Sequence, residues 1–89
     1  MNELEQKIYD RMLEEMDIDE SEIYNIEADT PIFSSDAEDG KPCMMLDSLD
    51  ALELLTLIYD EWGIDVPAED MSSLRTIKSI AEYITEHEE

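Results

Sequence analysis

Leu46-Asp47-Ser48-Leu49-Asp50-Ala51-Leu52-Glu53-Leu54-Leu55-Thr56-Leu57-Ile58-Tyr59-Asp60-Glu61-Trp62-Gly63 decides the fold of this chain. From Ser48 to about Trp62 its apolar residues recur at helical spacing. Leu54, Leu55, Ile58 and Trp62 share one broad face suited to a core. Leu49, Leu52, Thr56 and Tyr59 fall on an adjacent stripe that is expected to stay partly exposed. Asp50, Glu53, Asp60 and Glu61 supply charge. Ser48 or Asp47 provides a capping side chain at the start, and Gly63 stands where a helix C′ glycine belongs.

Downstream, Ile64-Asp65-Val66-Pro67 is a short extended link. Proline is tolerated in a first turn, so Pro67 can open a brief helix over residues 68 to 73. Thr76 then caps a last helix with Ile77, Ile80, Ala81 and Ile84 inward, and residues 86 to 89 are expected to fray. Upstream, Leu4, Ile8, Met12 and Met16 predict a helix over residues 2 to 16, capped by Asn2, with Glu3, Glu5, Glu14 and Glu15 elsewhere on the wheel. The methionines read as core filling. Residues 17 to 46 form a long connection, with Ile18, Ile23 and Ile26 as anchors and a turn at Asp29-Thr30-Pro31. Residues 34 to 42 are polar and aperiodic, an expected exposed excursion, and connections this long are often functional. The reading is one all-α domain over residues 1 to 89, a bundle of three main helices and one short one.

Charge narrows the function. The chain of 89 residues carries 26 Asp and Glu against five Lys and Arg, a net charge of -21. Nucleic acid and anionic membranes repel such a surface, whereas basic protein surfaces attract it and speed encounter at low salt. Self-repulsion is the cost, so salt or divalent cations should raise the melting temperature. Cys43, the single cysteine, forms neither an internal disulfide nor a zinc cluster. Its acidic surroundings disfavour a thiolate, which makes it a structural or incidental residue. Met1-Asn2-Glu3-Leu4-Glu5 lacks a signal-peptide hydrophobic region, and no apolar run reaches membrane-spanning length. A cytoplasmic protein without membrane insertion is expected.

Few residues invite chemistry. Asp17, Asp19 and Glu22 resemble part of a calcium loop, but that loop needs glycine at Glu22 and glutamate at Ala28. His87 lies in an acidic tail without a neighbouring nucleophile. The chain shows no nucleophile–base pair and no metal cluster, so an enzyme is the least favoured reading. Ser48 at a helix start has an ordinary explanation as a cap. The same position also suits a phosphorylated serine, because the positive end of the helix and its amides favour an anion.

Three blocks in order resemble the acyl carrier protein family. They are Asp47-Ser48-Leu49-Asp50-Ala51-Leu52-Glu53-Leu54-Leu55, then Trp62-Gly63-Ile64-Asp65-Val66-Pro67-Ala68-Glu69-Asp70, then Thr76-Ile77 through Tyr83-Ile84. The likeness is close from residue 46 to 84 and looser over residues 1 to 30. It implies a four-helix bundle with a short third helix and a long first loop. It also implies that a phosphopantetheinyl transferase moves a 4′-phosphopantetheine arm from coenzyme A onto Ser48. The arm's thiol would then carry acyl groups as thioesters to acyl-transferring and condensing enzymes with basic docking patches. Catalysis would lie in those partners, and the carrier itself would be a monomer. In the family the helix beginning at the serine docks on its partners, which nominates Asp47, Leu49, Asp50, Leu52, Glu53, Thr56 and Asp60 for recognition.

The chain departs from the family before the serine. Many fatty-acid carriers approach it with Leu-Gly-Ala-Asp-Ser-Leu, where this chain has Cys43-Met44-Met45-Leu46-Asp47-Ser48-Leu49. The excursion of residues 34 to 42 is a further departure, and Asp29-Thr30-Pro31-Ile32-Phe33 followed by Leu46-Asp47-Ser48-Leu49-Asp50-Ala51-Leu52-Glu53-Leu54 resembles discrete carriers of specialised pathways such as polyketide-like or aryl-polyene synthesis. An aminoacyl carrier, loaded for example with alanine, would use the same serine and fold. An unmodified acidic interaction module would explain the charge but not the three blocks.

Overall fold

The computed structural model describes residues 1–16, 18 and 25–87. Three α-helices carry the fold: α1 (Glu3–Glu15), α2 (Ser48–Trp62) and α3 (Ile77–His87). A 3₁₀ helix at Ala68–Ser73 supplies the short third member, so the arrangement is an all-α bundle of four helices. The short helix is 3₁₀ rather than α.

Each α-helix starts where side chains satisfy its free amides. In α1, Asn2 Oδ1 accepts from Glu5 N at 2.8 Å, while Asn2 N donates to Glu5 Oε1 at 2.8 Å. This reciprocal box folds Glu5 back against the chain and buries it, which the wheel alone placed among the outward charges. In α3, Thr76 Oγ1 accepts from Ser79 N at 3.0 Å and Ser79 Oγ accepts from Thr76 N at 3.0 Å. At the end of α2, Gly63 adopts a left-handed φ of 70° and its N–H donates to Tyr59 O at 2.8 Å.

The core is built from Ile8 and Met12 of α1, Leu54 and Ile58 of α2, Ile77, Ile80 and Ile84 of α3, with Ile32 and Leu74 from the connections. Ala51 and Leu57 complete the inner face of α2, whereas Leu55 and Trp62 lie at its edge, half-buried. Glu61 draws α1 to α2 through Lys7 Nζ at 3.1 Å and Arg11 Nε at 3.3 Å. Such partly exposed ion pairs orient more than they stabilise.

The connection into α2 is stitched down by backbone bonds. Ile32 N donates to Arg75 O at 3.0 Å, Met44 N to Pro31 O at 3.1 Å and Leu46 N to Ile32 O at 2.9 Å. Phe33 bridges Leu46 and Pro31 bridges Thr76, each as an isolated pair. The excursion of residues 34 to 42 is largely exposed but not shapeless. It opens with a 3₁₀ turn at Ser34–Asp36, and Asp36 Oδ1 accepts from Arg75 Nη1 at 2.6 Å. The far end also differs from expectation: Glu86 and His87 continue α3, with the His87 ring stacked on Tyr83 at 4.0 Å. Ile23 and the Asp17-Asp19-Glu22 group lie outside the described residues. Among those described, no group of His, Cys, Asp and Glu is placed to hold a metal ion. No described helix is long and apolar enough to cross a membrane.

Candidate functional site

The start of α2 resolves the ambiguity between Asp47 and Ser48. Asp47 is the cap: its Oδ1 accepts from Leu49 N at 2.9 Å and Asp50 N at 3.0 Å. Asp50 Oδ2 returns the contact by accepting from Asp47 N at 2.9 Å. Asp47 and Asp50 thus form a capping box across the first turn. Its hydrogen bonds, that from the Asp50 amide foremost and then that from Leu49, hold the Asp47 carboxyl below the ordinary aspartate range against some desolvation.

Ser48 occupies the first helical position, and its side chain is exposed. Among the described residues its hydroxyl has no hydrogen-bond partner, so capping does not account for it. The box also changes how an anion would be held here. The Leu49 and Asp50 amides, which an anion at the helix start would otherwise contact, are already taken by Asp47.

Ser48 lies on the rim of a shallow cleft of about 370 Å³, bounded by Phe33, Ser34, Leu46, Ala51, Met71 and Arg75 among others. The cleft joins the excursion, the start of α2 and the segment before α3. Arg75, already paired with Asp36, is the cation on its wall. Its place there was invisible to local sequence reasoning, since 39 residues separate the two partners.

The nominated recognition residues separate by what else they do. Leu49 is 72% exposed, Leu52 59% and Tyr59 57%, so α2 presents a stripe of large apolar side chains to solvent. Glu53 and Asp60 are exposed beside it. Asp47 and Asp50 are committed to the cap, and Thr56 Oγ1 donates to Leu52 O at 3.1 Å within the helix. Cys43 is buried, donating through Sγ to Phe33 O and accepting from Met45 N, both at 3.4 Å. It braces the approach to α2. Sequence reasoning passed over Met45, which is 60% exposed with a left-handed φ of 60°. The signal was available: counting back from Asp47-Ser48-Leu49, Met45 stands where the compact carrier run has glycine, the residue that tolerates positive φ.

Residues 44–84 match the family model described as the phosphopantetheine attachment site. Over this stretch the chain is similar to the acyl carrier protein family. The matched span includes Ser48 and runs to Ile84 in α3. Two acyl carrier proteins of Clostridium perfringens, from strain SM101 / Type A and strain ATCC 13124, are each 42% identical to this chain over 43 residues. That stretch is 48% of this chain and 57% of each relative, so the chain matches little more than half the length of these carriers. No solved structure matches the chain. The cofactor of this family is phosphopantetheine, and the solvent-facing serine at the head of α2 is chemically suited to an ester bond with it.

Proposed function

We propose that Ser48 carries a 4′-phosphopantetheine arm and that the chain ferries acyl groups on its thiol as thioesters. The observation that carries this is the division of labour at the head of α2: Asp47 caps the helix, leaving the exposed Ser48 hydroxyl without a structural duty. In loading by a phosphopantetheinyl transferase, Ser48 Oγ forms the new bond to phosphorus. The nucleotide part of coenzyme A leaves, and the transferase takes the hydroxyl proton. Asp47 holds the first turn in shape, and the adjacent acidic residues face whichever enzyme approaches. The arm supplies the thiol, so the chain serves as a carrier and its partners perform catalysis.

Those partners are the transferase itself, then acyl-transferring and condensing enzymes of fatty-acid or polyketide-like synthesis. Basic patches on them would meet the carboxylates of Asp47, Asp50, Glu53 and Asp60. Leu49, Leu52 and the methyl of Thr56 would add apolar contact. We place the protein in the cytoplasm as a monomer, in keeping with its charge of -21. Intact mass after incubation with coenzyme A and a broad-specificity transferase tests the proposal. One phosphopantetheine should be gained by the native chain and none by Ser48→Ala. No gain by the native chain with several transferases would refute it.

A further inference from the structure

Met45 is an expensive residue for its position. Its φ of 60° lies where a side chain crowds its own backbone, and glycine or asparagine adopts that conformation more easily. It is also 60% exposed, which leaves a large apolar side chain in water. The fold enforces both features. Met44 and Leu46 on either side are buried, and their amides are tied to Pro31 O and Ile32 O. The Met45 amide itself is held by Cys43 Sγ. With both neighbours fixed inward, the Met45 side chain is displayed outward, three residues ahead of Ser48. Held strain of this kind clusters at contact sites.

We propose that Met45 is a docking anchor that enters an apolar socket, rimmed by lysine and arginine, on the transferase that loads Ser48. This rests on the carrier function proposed above and adds the residue that reads the enzyme. Three residues span at most ~10 Å, so an enzyme that places catalytic groups at Ser48 also covers Met45. Leu49 and Leu52 are exposed on the other side of the serine, so apolar contacts flank the reacting hydroxyl. Exposed carboxylates at Asp47 and Glu53 favour a basic rim. The same charge opposes the other occupants of such a patch, since a second copy carries the same -21 and an anionic lipid surface is repelled. A methionine side chain is flexible and polarisable, which lets it fill sockets of differing shape.

Steady-state loading with coenzyme A and a broad-specificity phosphopantetheinyl transferase tests this, comparing the native chain with Met45→Gly, Met45→Asn and Met45→Leu. Met45→Gly should melt several degrees higher, because the strain is relieved. Yet its kcat/KM should fall about tenfold or more through KM, as buried apolar area is lost. Met45→Asn should lose loading likewise, and Met45→Leu should stay within about threefold of native. Loading of Met45→Gly at the native kcat/KM, or a loss confined to kcat, would overturn the anchor. So would concentration-dependent dimerisation of the native chain that Met45→Gly abolishes, for it would assign the patch to a second copy. Failure of the native chain to load at all would instead overturn the carrier function.

Discussion

The two ends of α2 meet the same geometric demand with opposite residues. After its last turn the chain reverses through Gly63 at φ 70°, and before its first turn it bends through Met45 at φ 60°. At the C-terminal end the residue suits the conformation, since a side chain there would be strained although nothing lies within 4 Å of a Cβ. At the N-terminal end a large apolar residue is held in the costly conformation and turned toward solvent. One end is built for stability. The other gives stability up, and it is the end that bears Ser48, the exposed leucines and the acidic cap. Departures from local preference are expected where a protein is used, and the one at Met45 falls at the terminus that bears Ser48.

The sharpest way to test that contrast is Ser48→Ala. It should abolish phosphopantetheine loading and leave the melting temperature nearly unchanged, within about 0.5 kcal/mol of native stability, as expected for a surface change that removes no cap. Thermal unfolding followed by circular dichroism, beside intact mass, checks both halves. A large loss of stability would mean that the hydroxyl does hold the helix start, and the division of labour with Asp47 would fail.

The bundle was legible because its signals are local. The limits of α2 and of the short third helix, the Gly63 stop and the Thr76 cap all follow from periodicity and punctuation within a few residues. The inward set of Leu54, Ile58, Ile77, Ile80 and Ile84 follows in the same way. Ser48 was nominated only through the family resemblance, because a serine at a helix start reads equally well as a cap. Three features were not legible. The choice of Asp47 over Ser48 as cap depends on a one-residue offset that composition leaves open. The Asp36–Arg75 pair depends on the connection folding back on the segment before α3. The φ of Met45 is imposed by hydrogen bonds from Met44 and Leu46 to the distant Pro31 and Ile32. The last two are set by tertiary placement, to which a local pattern is blind.

A matched pair of substitutions measures the contrast directly. Gly63→Ala should cost about 1 kcal/mol: a left-handed alanine is strained by about 1–2 kcal/mol, partly offset by lower entropy in the unfolded chain. Met45→Gly should move the other way by up to about 1 kcal/mol, with the greater freedom of glycine in the unfolded chain limiting the gain. Denaturant midpoints at constant slope read both effects. If both substitutions destabilise equally, the Met45 side chain contributes packing that outweighs its strain, and the two ends of α2 are alike after all.

The smallest expected effect is a pH dependence confined to the N-terminal end. Asp47 is held below the ordinary aspartate range chiefly by the Asp50 amide, so the folded chain keeps this carboxylate ionised to lower pH than the unfolded chain does. Between the two titrations the unfolded state binds more protons, and stability falls as pH falls. The contribution is therefore complete above the unfolded value near 3.9 and is lost as pH drops through the lower folded value. Acidification also neutralises many other carboxylates and relieves self-repulsion, which pushes the opposite way across the whole molecule. Comparison with Asp47→Asn removes that background, because asparagine also caps well but does not titrate. The difference in melting temperature between native and Asp47→Asn should be constant from pH 7 to about pH 5 and should shift against the native chain below pH 4. Gly63→Ala, which removes no titrating group, should show no such shift against the native chain. A flat native-minus-Asn difference down to pH 2 would mean that the Asp47 cap draws nothing from its charge.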